Sequence, residues 1–433
     1  MFLSRVFNLL DDCEVKYCLL RGFDEVSREG CIPSDVDLLV DPHHLPKLAA
    51  CLARLGFVCL PTWGHSPHRF FVAYDPDSLS WVKLDVVDEL VYGRPVRSVR
   101  IPLAQQCLER RVRDGSVCTL SPDDEFITLL LHCLFDKKGF SPKHASRLSR
   151  LSPDCDRGYL RSCLEPYLGA TVPWSQVLGV MRSGRWNVLL EGQPAAFNRL
   201  FWKSFPATAY RVARNRLLRR MRPALSAMVA RGLAIALLAP DGAGKTTLAQ
   251  QLARDRFLRA CLIYMGTNPE AVTVSLPTSR LLNRFAGKEG SRGLLSRGLR
   301  FCNRALDQWY RSAVALCCKA SGRFVVFDRY VYDSCLASPA TTLGRRIRRR
   351  ILGSSWARPD LVILLDAPGE VLYARKREHS PERLDAQRQK YLSLQGRVPN
   401  IVVVDATREA DQVRGDVIAL IWSQYARTRS SAC

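Results

Sequence analysis

Several things are missing from this chain, and each absence narrows what it can be. Its 16 cysteines include no Cys-x-x-Cys pair and no zinc-like spacing, so a structural zinc site is not expected. They are spread through a long sequence, many in apolar contexts such as Cys18, Cys59, Cys133 and Cys302. That pattern reads as reduced core thiols of a cytoplasmic protein. There is no internal repeat and no low-complexity tract; 26 glycines and 24 prolines are ordinary, which excludes collagen-like classes. The most apolar run, residues 232–240, is about half a membrane span. The apolar part of the N-terminus is too short for a signal peptide and runs into acid. No membrane partner is therefore expected. Acids are scarce, 41 Asp+Glu against 64 Lys+Arg, and the net charge of +23 excludes an acidic, disordered solvating protein.

What is present is apolar material for more than one core, 47% of 433 residues. The charge is uneven. Residues 1–100 are slightly acidic, whereas residues 101–230 and 231–433 are strongly basic. Two arginine clusters stand out: Arg211, Arg214, Arg216, Arg219, Arg220 and Arg222, then Arg345, Arg346, Arg348, Arg349 and Arg350. Such runs bind nucleic acid or simply form solvated helix faces. No zinc-finger or aromatic RNA-binding motif accompanies them, so a nucleic-acid-associated protein is the weaker alternative.

Three regions follow from the patterning. Residues 1–115 alternate short apolar runs with turn signals, predicting strands at 16–20, 36–40, 69–73 and 81–87 and a helix at 45–55. Residues 116–228 read as a mostly helical region and linker. Ser121-Pro122-Asp123-Asp124-Glu125 has the form of a helix start, with a cap, a first-turn proline and acids at the positive dipole end. Residues 229–433 return to alternation. Short continuous apolar runs at 233–239, 260–264, 324–328, 361–366 and 401–405 are separated by helical stretches, as in a parallel sheet buried on both faces. The expected class is α/β: a five-stranded parallel sheet in the C-terminal domain, a mixed α/β N-terminal domain and a helical middle.

The sharpest motif is Ala239-Pro240-Asp241-Gly242-Ala243-Gly244-Lys245-Thr246-Thr247, which follows an apolar strand and opens a helix. That context makes it a Walker-type phosphate loop, with Ala239 in place of the first glycine. Gly242 and Gly244 let backbone N–H groups turn inward on phosphate oxygens, and the helix start adds its positive end. Lys245 reaches the β- and γ-phosphates and the Thr246 hydroxyl ligates Mg²⁺. Further on, one strand ends in Asp328-Arg329-Tyr330 and another in Asp366, both acids at the carboxyl edge where the loop lies. Asp328 is placed to hold Mg²⁺ and Arg329 to pair with phosphate.

This order resembles the thymidylate kinase family of P-loop kinases over about residues 231–426: the phosphate loop, Asp328-Arg329-Tyr330, Pro359-Asp360-Leu361-Val362 with its strand, basic Arg375-Lys376-Arg377, and Val404-Asp405-Ala406. The resemblance implies ATP with Mg²⁺ and phosphoryl transfer to a nucleoside monophosphate or a related small acceptor. It also implies that Asp241 contacts the acceptor sugar, that Arg329 contacts the acceptor phosphate, and that Arg375 and Arg377 are lid arginines. Two stretches depart from it. Tyr264-Met265-Gly266-Thr267-Asn268-Pro269 replaces an Arg-Glu-Pro-Gly-Gly-like acceptor loop, and Leu306-Asp307-Gln308-Trp309-Tyr310-Arg311 replaces a base-reading Asp-Arg-Ala motif.

Near the N-terminus, Arg21-Gly22-Phe23 is followed by Ser34-Asp35-Val36-Asp37-Leu38-Leu39-Val40 and later by Trp81-Val82-Lys83-Leu84-Asp85. Carboxylates at i and i+2 of a strand share a face. Three converging acids hold Mg²⁺ ions that activate a hydroxyl and steady a leaving pyrophosphate. The pattern resembles the polymerase-beta-like nucleotidyltransferases, with Asp35, Asp37 and Asp85 at the three metal positions and Phe23 where a small residue is usual. His65 and His68, close together in a loop, are weaker ligand candidates, and Lys83 is expected beside Asp85 or in solvent. Two readings of the N-terminal domain stay open: a nucleotidyltransferase, or a non-catalytic nucleotide-sensing module.

Overall fold

The structure, a computed structural model, describes residues 2–21, 35–94, 96–229, 232–266, 273–276, 294–336 and 358–430. Gly22, Phe23, Ser34, Thr267, Asn268, Pro269 and the cluster from Arg345 to Arg350 lie outside the described residues. The chain divides into two compact units, Met1–Arg222 with Arg429–Cys433, and Pro223–Thr428. Residues 1–115 and nearly all of the helical region from 116 fall in the first unit.

The strands of the first unit are β1 (Tyr17–Arg21), β2 (Asp35–Val40), β3 (Val58–Leu60), β4 (Arg69–Asp75), β5 (Ser80–Val87), the short pair β6 (Leu90–Tyr92) and β7 (Val99–Ile101), then β8 (Val112–Asp114) and β9 (Val117–Thr119). Seven of them form one mixed sheet in the order β3-β4-β5-β2-β1-β9-β8. The period-2 rule sends alternate side chains to opposite faces. Tyr17, Leu19, Leu38 and Val40 enter one core, with α1 (Phe2–Asp12) and α2 (Leu45–Arg54) supplying Phe7 and Leu48. Cys18, Leu20 and Leu39 enter the other.

That second core is why the helical region joins the sheet in one unit. It is filled by α3 (Ala104–Glu109), α4 (Pro122–Leu131), α5 (Pro142–Leu151), α6 (Arg157–Leu168), α7 (Trp174–Ser183) and α8 (Gln193–Lys203), through residues such as Phe126, Leu130, Leu160 and Leu200. Helix α4 starts as its sequence dictates: the Ser121 hydroxyl accepts from the Asp124 N–H and Pro122 opens the first turn. Helix α9 (Phe205–Val229) follows.

In the second unit, β10 (Ala234–Leu238), β11 (Cys261–Tyr264), β12 (Val325–Asp328), β13 (Leu361–Asp366) and β14 (Ile401–Asp405) form an all-parallel sheet in the order β11-β12-β10-β13-β14. The central strands β10 and β12 are buried at every residue, as their unbroken apolar runs require. The connecting helices are α10 (Lys245–Arg254), α11 (Leu294–Ala320), α12 (Gly369–Lys376), α13 (Pro381–Leu392) and α14 (Ala410–Ser430). Thus β10, at the centre, delivers the phosphate loop to the carboxyl edge, and β12 and β13 deliver Asp328 and Asp366 on either side of it. Among the described residues no helix is long and apolar enough to cross a membrane.

The named cysteines are free thiols, but the expectation of burial holds only for some of them. Cys18 and Cys133 are buried, whereas Cys59 and Cys302 are exposed. Cys59 takes the outward position of the short strand β3, which pairs only with β4, and Cys302 lies on a solvent-facing side of the long α11.

Candidate active site

Strand β10 leads into the loop 239–244, and α10 begins at Lys245. Gly242 and Gly244 both have left-handed backbones, with φ 92° and φ 81°. At Gly242 a Cβ would stand 2.8 Å from the Leu372 carbonyl oxygen of α12, so both backbone angle and space demand glycine. At Gly244 the space is open and the backbone angle alone favours glycine. Ala239, where the stricter pattern has glycine, is fully buried. Lys245 is nearly buried, and its Nζ approaches the Ala239 carbonyl oxygen at 3.4 Å. Thr246 and Thr247 are exposed on the first turn of α10.

Asp241 forms an ion pair with Arg329, Nη2 to Oδ1 2.9 Å. Burial pushes the Asp241 carboxyl up. Arg329, Lys245 and a hydrogen bond from Gln387 outweigh that and hold it below the usual carboxylate range. Arg329 itself has φ 65°, a rare conformation for a side-chain-bearing residue, at the turn leaving β12. Beside it, Asp328 is 4% exposed, and among the described residues its Oδ1 has no hydrogen-bond partner. A buried carboxylate oxygen without a donor is suited to a cation, so the residues present fit Mg²⁺.

The basic segment after β13 behaves unevenly. Arg375, in the last turn of α12, lines a cleft of about 650 Å³ with Ala243, Gly244, Thr247, Gln251 and Arg408. Arg377 is the left-handed cap of α12, exposed, and does not line that cleft. Asp366 is held by Arg388 of α13 through two hydrogen bonds of 2.7 and 2.8 Å. Gln387 and Arg408 carried no expectation. Gln387 reaches Asp241 only because α13 packs back over the loop, and no local sequence signal marks it. Arg408, two residues past Ala406, joins the cleft because β14 ends at the same edge.

In the replacement for the base-reading motif, Asp307, Gln308 and Arg311 turn inward, whereas Leu306, Trp309 and Tyr310 are exposed. Asp307 and Arg311 of α11 are paired with each other and nearly buried. Arg311 also donates to the Tyr264 carbonyl at 2.9 Å, and Asp307 accepts from the Leu276 N–H at 2.8 Å. Arg311 thereby ties α11 to the end of β11, and Asp307 ties it to Leu276.

In the first unit Asp37 and Asp85 are register partners on the parallel strands β2 and β5, and both line one cleft with Arg21, His68, Glu89 and Arg97. Each acid has its own basic neighbour. Arg21 holds Asp37 at 3.1 Å, His68 Nδ1 lies 2.6 Å from Asp85, and Lys83 holds Asp35 at 3.3 Å. Lys83 therefore serves Asp35, its register partner, rather than Asp85. Asp35 does not line the cleft. Among the described residues no three His, Cys, Asp or Glu side chains are arranged to hold a metal. As arranged, the trio expected at metal positions does not fit Mg²⁺, because Asp35 stands apart from the cleft and each carboxylate is already engaged by its own basic side chain. His65 does not line that cleft; burial, then Arg219 and Arg222, lower its pKa and favour the neutral imidazole.

Comparison with known proteins finds a family match within the second unit. The family described as Thymidylate kinase matches residues 240–417. Two relatives described as "Probable thymidylate kinase" align with the same part of the chain. One, from Archaeoglobus fulgidus, is 28% identical over 194 residues, covering 44% of this chain and 94% of the relative. The other, from Thermococcus onnurineus, is 28% identical over 197 residues, covering 42% and 93%. The solved thymidylate kinase of Candida albicans aligns at 22% identity over 44% of this chain and 91% of its own, with a TM-score of 0.31. The C-terminal part of this protein is thymidylate kinase-like.

Proposed function

We propose that the second unit transfers a phosphoryl group from ATP to a nucleoside monophosphate. The observation that carries this reading is the loop from Asp241 to Thr247, two left-handed glycines ahead of a buried lysine, beside a buried acid, Asp328, with an oxygen that has no donor among the described residues. The backbone N–H groups of Gly242 to Thr247 bind the phosphate tail and Lys245 neutralises charge on the transferring group. Thr246 and Asp328 would hold Mg²⁺, which when bound screens the phosphates and steadies charge on the leaving diphosphate. The cleft beside Arg375 and Arg408 receives the donor's base and ribose. Arg329, steadied by Asp241, points the reading to a phosphate-bearing acceptor; Asp241 serves the acceptor through Arg329 rather than by touching its sugar. Arg375 completes the donor side, with Arg377 beyond it as a second lid arginine.

ADP release by the purified chain tests this across nucleoside monophosphates, sugars and sugar phosphates. Release with a nucleoside monophosphate, lost by about 100-fold or more in Lys245→Ala, is expected. Release with a sugar alone moves the acceptor to another class. No release with any acceptor refutes the kinase reading.

For the first unit the reading favoured is a nucleotide-binding module without chemistry. Asp37 and Asp85 of its cleft are already engaged by Arg21 and His68, and among the described residues no three acids stand together as a metal site there. Magnesium-dependent pyrophosphate release from the full chain with any NTP, lost in Asp37→Asn, would restore the nucleotidyltransferase reading. Free thiols and use of ATP fit a cytoplasmic protein.

A further inference from the structure

Helix α9 is two-faced in a way that neither unit's site explains. One side docks on the first unit: Thr208 and Asn215 are 1% exposed, Arg211 donates to the Ser98 carbonyl at 2.8 Å, and Arg219 donates to the Gly64 carbonyl at 2.9 Å. Tyr210, Leu217 and Met221, at i, i+7 and i+11, form one stripe away from that side. They are 67%, 57% and 44% exposed. At the junction of α8 and α9, Trp202 and Phe205 stack at 4.8 Å and remain 65% and 42% exposed. Arg214, Arg216, Arg220 and Arg222 are exposed on the same helix. No Asp or Glu stands between Glu191 and Asp241, a stretch with nine Lys and Arg.

We propose that the exposed side of α9 lies on an anionic lipid bilayer, its arginines at the headgroups and its apolar stripe in the interface. Charge and chemistry select this occupant. A second copy would bring the same acid-free arginine helix and repel it. A nucleic acid would satisfy the arginines but leave Leu217 and Met221 without apolar company. An anionic bilayer supplies phosphate to the one and acyl chain to the other, and Trp, Tyr and Phe favour that boundary. The chain lies on the membrane and does not span it.

The test is sedimentation of the full-length protein with phosphatidylcholine vesicles, with and without phosphatidylglycerol, over a salt series, with an RNA duplex as a separate ligand. Binding to the phosphatidylglycerol vesicles alone, weakening as salt rises, is expected. Arg214→Gln/Arg216→Gln/Arg220→Gln should lower partitioning on the order of 100-fold, since each basic residue near such a surface contributes about 1 kcal/mol. Leu217→Ser/Met221→Ser should lower it roughly tenfold without changing net charge. Thermal unfolding of both variants should match the parent, because all five positions are exposed. No vesicle binding, equal binding to neutral vesicles, or RNA binding indifferent to Leu217→Ser/Met221→Ser would each overturn the proposal. Self-association abolished by the serine variant would overturn it in favour of an interface between copies.

Discussion

Replacing Gly242 and Gly244 separately by alanine measures how closely the phosphate loop is packed. Both glycines have positive φ, so each alanine carries the left-handed cost of about 1–2 kcal/mol. Only at position 242 does the new Cβ also meet a backbone atom, the Leu372 carbonyl oxygen, at 2.8 Å. That contact lies below any ordinary carbon–oxygen approach, and its partner is backbone, which has no rotamer to yield. Overpacking of this kind adds roughly 1–3 kcal/mol. For a unit of this size each kcal/mol lowers Tm by about 2–4 °C. Gly244→Ala should therefore lower the melting temperature of the second unit by roughly 2–8 °C, and Gly242→Ala by roughly 4–20 °C. The assay is calorimetry of the full chain, which separates the two units' transitions, paired with an ATP-protection titration. Gly242→Ala should lose more ATP protection than Gly244→Ala, because accommodating its Cβ displaces the cradle itself. Equal effects of the two substitutions on both readouts would mean that α12 gives way freely and that the loop is not clamped against it.

Other consequences follow from the same geometry. Asp328→Asn should leave the fold intact but remove the extra thermal protection that Mg²⁺ adds to ATP; an unchanged Mg²⁺ increment would take Asp328 out of the metal site. Arg388→Ala leaves the carboxylate of Asp366 without its two-bond partner and should cost about 1–3 kcal/mol of second-unit stability, read by urea unfolding. In the first unit, burial holds the His132 pKa down to about 4, against a smaller opposing pull from its hydrogen bond to Asp136. The imidazole is therefore neutral in the folded state, while the unfolded chain takes up its proton near pH 6.5. Its contribution is complete above that pH and is lost as pH falls from 6.5 toward 4, on the order of 3 kcal/mol in all. His132→Gln should flatten the pH dependence of the first unit's melting temperature in that window, and an unchanged slope would place the acid sensitivity elsewhere.

Local features were legible in advance because the chain writes them contiguously. The phosphate loop is strand, glycines, lysine and helix in unbroken order, so its identity needs no distant residue. The start of α4 is equally local, a serine cap, a proline and three acids. The three inner parallel strands declared themselves by continuous apolar runs, since a strand buried on both faces has no polar side to alternate with; the edge strands β11 and β14 carry similar runs but are only partly buried. Burial of single residues was less legible: Cys59 and Cys302 sit among apolar neighbours in sequence yet face solvent, because neither the short β3 nor the outer side of α11 is covered at those points.

Pairings were a different matter, because they depend on which strands become neighbours. Lys83 shares a face with Asp85 in sequence, yet the parallel register of β2 on β5 sets it opposite Asp35, and its ammonium goes there. Asp85 is answered by His68, which arrives from the loop before β4. Asp241 meets Arg329 because β10 lies beside β12, and it meets Gln387 because α13 folds over the loop. Alternation and apolar runs along a chain state what each segment will be, since those forces act between residues a few positions apart. Which cation neutralises which acid is an interaction between segments far apart in sequence, and only the order and register of the sheets decide it.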